Sequence, residues 1–153
     1  MPDSSLTASS IWQNNNDARG PKRSRLFTQF NEGVVAEAWL ADRNLDEEHW
    51  IKADLLTSRP VQAVALWPRD SIHFHWVTSF SLRFSLDDVS YDVITAQSGE
   101  ERIFMGSTGQ GDKVVANFNV TDARYVRLYP LTYEEHIAVK WEIYACLPGL
   151  CEK

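Results

Sequence analysis

The sequence predicts an all-β fold, a jelly-roll-like sandwich or barrel of about eight short antiparallel strands. Apolar and polar residues alternate in several short runs, turn residues separate these runs, and a helical period is almost absent. The last run is the clearest example. It directs Ile137, Val139 and Trp141 to one face and Ala138 and Lys140 to the other. This pattern is typical of a strand that is buried on one face only.

Strands are predicted in the first half of the chain at residues 6–10, 50–55 and 61–67. The third of these is almost wholly apolar, as a strand buried on both faces would be, and a turn is predicted before it at residues 58–60. Residues 11–25 are rich in Asn, Gly, Pro and basic side chains and follow neither period, so a long loop is predicted there. Residues 26–35 are also predicted as loop, and residues 36–45 have room for one helical turn.

Further strands are predicted in the second half at residues 80–86, 91–96, 103–105, 114–120, 123–129 and 137–145. Residues 68–75 form a predicted loop, and residues 106–113, which contain three glycines, form a predicted turn. Pro130 is expected to end the strand before it, because proline has no N–H group to donate to the ladder.

The composition is that of one globular domain, since 153 residues are enough to bury a substantial core. The formal net charge is −6, and an acidic chain is repelled by the phosphate backbone of a nucleic acid, so no nucleic-acid partner is expected. No apolar run is long enough to span a membrane, and the first residues lack the apolar core of a signal peptide.

The order and spacing of many short segments resemble the discoidin family, also called the coagulation factor 5/8 type C domain. No single segment is specific, but together they extend over nearly the whole chain. The matching residues are Leu6 to Ser10, Arg25, Leu26, Ala38, Trp39, Trp50, Asp54, Leu55, Val61, Val64, Val77 to Leu82, Phe104, Gly106, Asn117, Phe118 and Ala123 to Cys146.

The resemblance implies a discoidin-like jelly roll with protruding spike loops, formed by residues 1–146 and followed by a C-terminal tail at 147–153. It implies an extracellular or cell-surface adhesion module without catalytic activity, one domain of a larger secreted or membrane-anchored protein. Such modules bind acidic phospholipid headgroups, glycans or other proteins with loops at one end. By position, these correspond here to a first loop at residues 11–22, a second loop at residues 29–34 and a third loop at residues 67–75.

The cysteines depart from the family pattern. Cys146 matches the cysteine that closes the last strand in the family, but the usual partner, just before the Thr-Ala-Ser-Ser segment, is missing. We therefore expect that the chain has been trimmed upstream, with Met1 an added start. Cys146 is then expected either to form a disulfide with Cys151 or to remain free, and a bridge to a cysteine outside the chain is a further alternative. A second, milder departure is Tyr133, where the family more often has Trp.

The third loop supplies most of the predicted ligand-binding residues: Trp67, Arg69, Ile72, His73 and Phe74. Apolar side chains at an exposed loop tip are costly unless a ligand covers them, and burying each one is worth about 1.5–3 kcal/mol. The loop could therefore anchor the domain on a membrane surface or a protein. The alternative is that this segment begins the next strand, with Ile72 and Phe74 facing the core and the histidines facing solvent.

The first loop supplies Trp12, Arg19, Lys22 and Arg23, and the second loop supplies Phe30. An aromatic ring beside several cations is a plausible site for an anionic headgroup or an acidic sugar. The alternative is a solvated loop whose cations pair with the acidic run at residues 42–48.

Metal sites are not predicted. His73 and His75 would point the same way on a strand, but no third zinc ligand is evident. Residues 42–46 alternate oxygen-bearing side chains but lack the glycine and the distal glutamate of an EF-hand, which leaves only a looser calcium site as an alternative. No cofactor is therefore expected.

An enzyme is not predicted either. Asp70, Ser71 and His73 lie too close in one segment to converge as a catalytic triad, and the chain has neither a nucleophile elbow nor a phosphate-binding glycine loop. Two alternatives to the adhesion module remain: a protein-interaction or structural domain with no small ligand of its own, and a carbohydrate-targeting domain cut from an enzyme.

Overall fold

A computed structural model describes residues 1–28, 31, 35–69 and 71–146. The eight strands in these residues, all paired antiparallel, are β1 (Leu6–Ala8), β2 (Trp39–Leu40), β3 (Ile51–Trp67), β4 (Trp76–Ser85), β5 (Asp92–Val93), β6 (Phe104–Met105), β7 (Val114–Glu134) and β8 (Ala138–Ala145). They form one sheet in the order β2-β8-β3-β7-β4-β5, with β1 paired to β3 and β6 paired to β4. The predicted all-β class is confirmed, although the sheet does not close into a barrel within the described residues.

Two very long strands build the fold. β3 and β7 pair along most of their length, and both bend where the register shifts between Asp54 and Arg59. The predicted turn at residues 58–60 is thus a bulge inside β3 rather than a break. Leu56 lies there at a φ of 69°, and its N–H donates to the Asp54 carboxylate at 2.7 Å. A bulge increases the local bend and lets one strand serve both halves of the sheet.

Pro130 lies inside β7, so the prediction that it ends a strand was wrong. β4 residues Ser79 and Phe80 face Thr132 and Pro130, which leaves Leu131 as an extra residue on β7. Ladder hydrogen bonds are locally disrupted at such an irregularity, so a residue without an N–H is tolerated there.

Two predictions for the segments before β3 were also wrong. The predicted long loop at residues 11–25 contains a short α-helix, α1 (Asn16–Arg19), and two 3₁₀ helices, Trp12–Asn14 and Pro21–Ser24; a third precedes β1 at Asp3–Ser5. The Asn15 side chain caps α1 by accepting from the Ala18 N–H at 3.0 Å. Residues 36–45 hold β2 rather than a helical turn, because Trp39 is fully buried and donates its Nε1–H to the Ser10 carbonyl at 2.9 Å.

The core lies between the two halves of the sheet, and its largest fully buried side chains are Trp39, Ile51, Phe80, Leu82 and Leu128. The alternation predicted for the last strand is confirmed on its apolar face, where Ile137, Val139 and Trp141 are buried. Ala138, on the opposite face, is also buried, because it packs into a second small cluster with Ala36, Ala38 and Leu40. The half-buried Trp12 covers this cluster, so the first loop is packed onto the outside of β8.

Candidate functional site

The third loop and the turn between β7 and β8 lie at the same end of the sheet. β4 begins with Trp76 opposite Glu134, and β3 ends with Trp67 opposite Lys140. Arg69 and His75 close the third loop by two backbone hydrogen bonds of 2.9 and 3.0 Å. This end of the molecule is called the loop end below.

Three histidines and one tryptophan meet at the loop end. The His75 ring stacks on His73 at a centroid distance of 5.5 Å and lies 5.7 Å from His136. The edge of Trp12 meets the His136 ring at 4.9 Å. The first loop, the third loop and the β7–β8 turn therefore contact one another at this end, through the buried His136.

Burial keeps the imidazoles of His75 and His136 uncharged near neutral pH. The pKa of His75 is lowered from 6.5 to about 4, first because the ring is removed from water and then because the Arg69 guanidinium is close. Burial likewise lowers the pKa of His136. The Arg69 Nη1 lies 3.1 Å from the His75 Nδ1, and a guanidinium can only donate, so Nδ1 accepts and the proton resides on Nε2. His75 thus presents a neutral imidazole.

Two buried residues of opposite charge support the third loop from inside. Arg69 and Glu37 are only 6% and 7% exposed. The Glu37 Oε1 accepts from the Ser71 N–H at 3.3 Å and from the Ser71 hydroxyl at 2.6 Å. Burial lowers the pKa of Arg69, and the Glu37 carboxylate opposes that shift. Arg69, which was predicted to contact a ligand, is therefore placed to position His75 and the loop.

The tip of the third loop presents two apolar side chains to solvent. Ile72 is 43% exposed and Phe74 is 47% exposed, so the alternative in which both face the core is wrong. They line a groove of about 370 Å³ together with His73, His75, Trp76, Glu134 and Glu135. The groove combines aromatic surface, uncharged imidazole and carboxylate oxygens.

The cations of the first loop already have partners. Arg19 donates to Gln13 Oε1 at 2.6 Å, the Lys22 ammonium pairs with Asp17 at 2.6 Å, and Arg23 donates to the Asp17 carbonyl at 2.8 Å. These partners lie within the first loop itself. The alternative in which the loop cations pair with the acidic residues 42–48 is therefore wrong for these three contacts. Each of these contacts takes a donor that an anionic ligand would need.

Trp67, another predicted ligand-binding residue, does not line the groove. The Trp67 ring lies against the Lys113 ammonium, with Nζ 5.0 Å from the ring centroid. Phe30, Asp70, Cys151 and the predicted tail at 147–153 lie outside the described residues. The Cys146–Cys151 bridge, one of the predicted alternatives, therefore stays a prediction, with Cys146 itself buried.

Within residues 1–28, 31, 35–69 and 71–146, no group of three or more His, Cys, Asp or Glu side chains is placed to hold a metal ion. No helix in the same residues is long and apolar enough to cross a membrane.

Comparison with known proteins assigns the family. The model of the F5/8 type C domain matches residues 5–143. The chain belongs to the F5/8 type C domain family. The resemblance seen in the sequence is thereby confirmed.

Relatives of this F5/8 type C domain include mouse lactadherin, which is 28% identical over 150 residues, and Discoidin-2 of Dictyostelium discoideum, which is 32% identical over 111 residues. The matches cover 95% and 72% of this chain but only 31% and 41% of those proteins. The chain therefore spans less than half the length of either relative.

Solved structures agree with this F5/8 type C fold. Recombinant discoidin II of Dictyostelium discoideum superposes with a TM-score of 0.75 at 29% identity, covering 92% of this chain and 54% of that one. A Clostridium perfringens CBM32 module, solved in complex with GalNAc-beta-1,3-galactose, gives a TM-score of 0.69 over 94% of this chain and 98% of that one. Its identity is 20%, so it supports the fold alone.

Sequence reasoning missed several residues at the loop end of this domain. His136 completes the histidine cluster, and Glu37 accepts the hydrogen bonds that hold Ser71 of the third loop. Glu134 and Glu135 line the groove. No local pattern joins His136 to His75, because they are brought together only by pairing of β4 with β7. The alternation of β8 begins at Ile137 and so indicates a turn just before it, which is the one sequence signal that places Glu134, Glu135 and His136 near a loop.

Proposed function

We propose that this domain is a non-catalytic extracellular recognition module that binds a neutral glycan in the groove beneath Phe74. Domains of this family bind phospholipid or carbohydrate. The observation that carries the choice of carbohydrate is the composition of the groove: an exposed aromatic ring beside the uncharged imidazole of His75 and the carboxylates of Glu134 and Glu135.

This composition suits the two kinds of surface that a sugar presents. The C–H face of a pyranose ring is apolar and packs on an aromatic side chain such as Phe74 or Trp76. The hydroxyl groups of the sugar both donate and accept, so they can donate to Glu134 or Glu135 and bond with the neutral His75. A carboxylate that accepts from a hydroxyl makes a charge-assisted bond, which is stronger than a neutral one.

The charges disfavour an anionic ligand. Lys22, Arg19 and Arg23 are engaged within the first loop, and Glu134 and Glu135 line the groove. The net charge of −6 repels acidic lipid headgroups at long range. An acidic sugar or a phosphate would meet carboxylates rather than free cations at this site.

The proposal is tested on an array of neutral and acidic glycans. The expected result is binding to neutral glycans that is lost in Phe74→Ser and Glu134→Gln. Leu86→Ser is the matched control, since Leu86 is exposed but follows the opposite end of β4. An array without any neutral glycan bound would contradict the proposal, as would equal binding by wild type and Phe74→Ser.

Peripheral membrane contact is a second candidate, favoured by the exposure of Ile72 and Phe74 at one loop tip. Burying two such side chains in a bilayer interface is worth about 3–6 kcal/mol at most. This version predicts that vesicles containing phosphatidylserine sediment the wild type but neither Ile72→Ser nor Phe74→Ser. Wild-type protein that stays in the supernatant would refute it. A domain that binds neither glycans nor vesicles would point to a protein partner.

A further inference from the structure

Along its first half, β7 has a strand partner on one side only in the part of the chain that the structure describes, so its other side is an edge of the sheet. Residues 114–117 and 121–123 pair with β3 on one side. The pairing of β7 with β4 is confined to residues 125–134, so within the described residues no strand pairs with the other side of residues 114–121. A groove of about 570 Å³ runs along this edge, with Asn117, Phe118, Asn119 and Thr121 on one wall and residues 92–95 and Arg102 on the other. The Arg102 guanidinium donates to the Asn117 carbonyl at 3.4 Å, and no such contact is found at Asn119 within the described residues. An unpaired edge is a place where another strand can add, unless something covers it.

The same edge carries the chain's one Asn-X-Ser/Thr tripeptide in which X is not proline: Asn119, Val120 and Thr121. This tripeptide is the acceptor signal for N-linked glycosylation in proteins that pass through a eukaryotic secretory pathway. Asn119 is exposed, and its backbone carbonyl accepts from the Thr121 hydroxyl at 3.0 Å. No hydrogen bond of the Asn119 side-chain amide is found within the described residues.

We propose that Asn119 carries an N-linked glycan, an inference that rests on the extracellular placement in the proposed function. The co-reactant is an oligosaccharide joined to a lipid through a diphosphate. The amide nitrogen of Asn119 forms a bond to the anomeric carbon of the first sugar, and the bond from that carbon to the diphosphate oxygen breaks. The lipid diphosphate leaves with the electron pair, and the amide proton passes to a base of the transferase.

The folded domain has room for this modification. Asn119 is exposed and lines the groove at the edge of the sheet, so a glycan attached there displaces no core residue. Asn119 lies next to the register shift between Val61 and Ala63, where the ladder with β3 is already irregular. A glycan at this position covers the open edge and opposes strand addition from a second molecule.

The glycan is also kept away from the proposed ligand groove. β7 begins at the loop end, where Val114 pairs with Leu66, and Asn119 lies five residues further along a strand that rises about 3.4 Å per residue. The modified side chain is therefore about 17 Å from the start of the strand. Ligand binding at Phe74 is expected to be the same with and without the glycan.

The experiment is to secrete the full chain from a eukaryotic cell line behind a signal peptide and to map its peptides before and after treatment with peptide N-glycosidase. The expected result is an oligosaccharide on the peptide that contains Asn119 and conversion of Asn119 to Asp on enzymatic release. Asn119→Gln and Thr121→Val should abolish the modification, whereas Thr121→Ser should retain it. Asn117→Gln is the matched control and should leave the glycan in place, because Asn117 is not followed by the required hydroxyl residue.

Secreted wild-type protein with unmodified Asn119 would overturn the inference, and so would a glycan that persists in both Asn119→Gln and Thr121→Val. Thr121→Val keeps a β-branched side chain in the strand, which guards against a loss of glycan through misfolding. The proposed function is tested by a different measurement, the glycan array. A glycosylated domain that binds no array glycan contradicts only the function, and an unmodified domain that binds one contradicts only the glycosylation.

Discussion

Protonation of His75 is expected to destabilise the domain in mild acid. The side chain has an ordinary pKa of 6.5 in the unfolded chain and a pKa of about 4 in the fold. Because the folded pKa is the lower one, the unfolded chain takes up the proton first. The stabilisation is therefore complete above pH 6.5 and is lost progressively as the pH falls toward 4.

The magnitude follows from these two values. Near pH 5, linkage gives about 2 kcal/mol for a group whose pKa falls from 6.5 to about 4 on folding. His75 is only half-buried, so screening by solvent reduces this to about 1 kcal/mol. Burial of the ring is the main cause that disfavours its protonation, and the guanidinium groups of Arg69 and Arg43 add to it.

The assay is urea unfolding of the wild type and of His75→Gln near pH 7 and near pH 5. Gln retains an acceptor for the Arg69 guanidinium but does not titrate, so its free energy of unfolding should fall by about 1 kcal/mol less than that of the wild type. His73→Gln, at the exposed end of the same stack, should retain most of the wild-type dependence. Equal losses in the wild type and His75→Gln would refute the reasoning.

Three further variants and one control, Gly109→Ala, test the packing by urea unfolding. Gly106→Ala should cost about 1–3 kcal/mol, because its Cβ would stand 2.1 Å from the Val77 carbonyl oxygen, whereas Gly109→Ala meets nothing within 4 Å and should change stability by less than about 0.5 kcal/mol. Trp141→Phe removes the buried hydrogen bond that the Trp141 Nε1–H donates to the Ser24 hydroxyl at 3.1 Å, and it should cost about 1–2 kcal/mol. Glu37→Gln removes a buried carboxylate that accepts two hydrogen bonds from Ser71 and offsets the charge of the buried Arg69, and it should cost about 1–3 kcal/mol. Unchanged stability in any of these variants except Gly109→Ala would contradict the packing described.

In β8, the alternation of apolar and polar residues predicts the burial of one face of the strand but not of the other. Its apolar face was predicted correctly, because the side chains of a strand alternate whatever it packs against. The burial of Ala138 was not, since it depends on Trp12, a residue more than a hundred positions earlier. Pro130 was also predicted wrongly from local sequence. Whether a proline ends a strand depends on the partner strand, and the pairing with β4 has a register shift at Pro130.

The sequence by itself determined that the chain is a β protein of the F5/8 type C family, that the third loop carries Ile72 and Phe74, and that Asn119 begins an acceptor tripeptide. These are properties of neighbouring residues or of their order along the chain. Only the tertiary structure decided that Ile72 and Phe74 face solvent, that the first-loop cations are already paired, and that His136, Glu37 and Glu134 join the third loop. The physical reason is that these features arise from strand pairing between distant segments, which sets burial and charge pairing and leaves no local pattern.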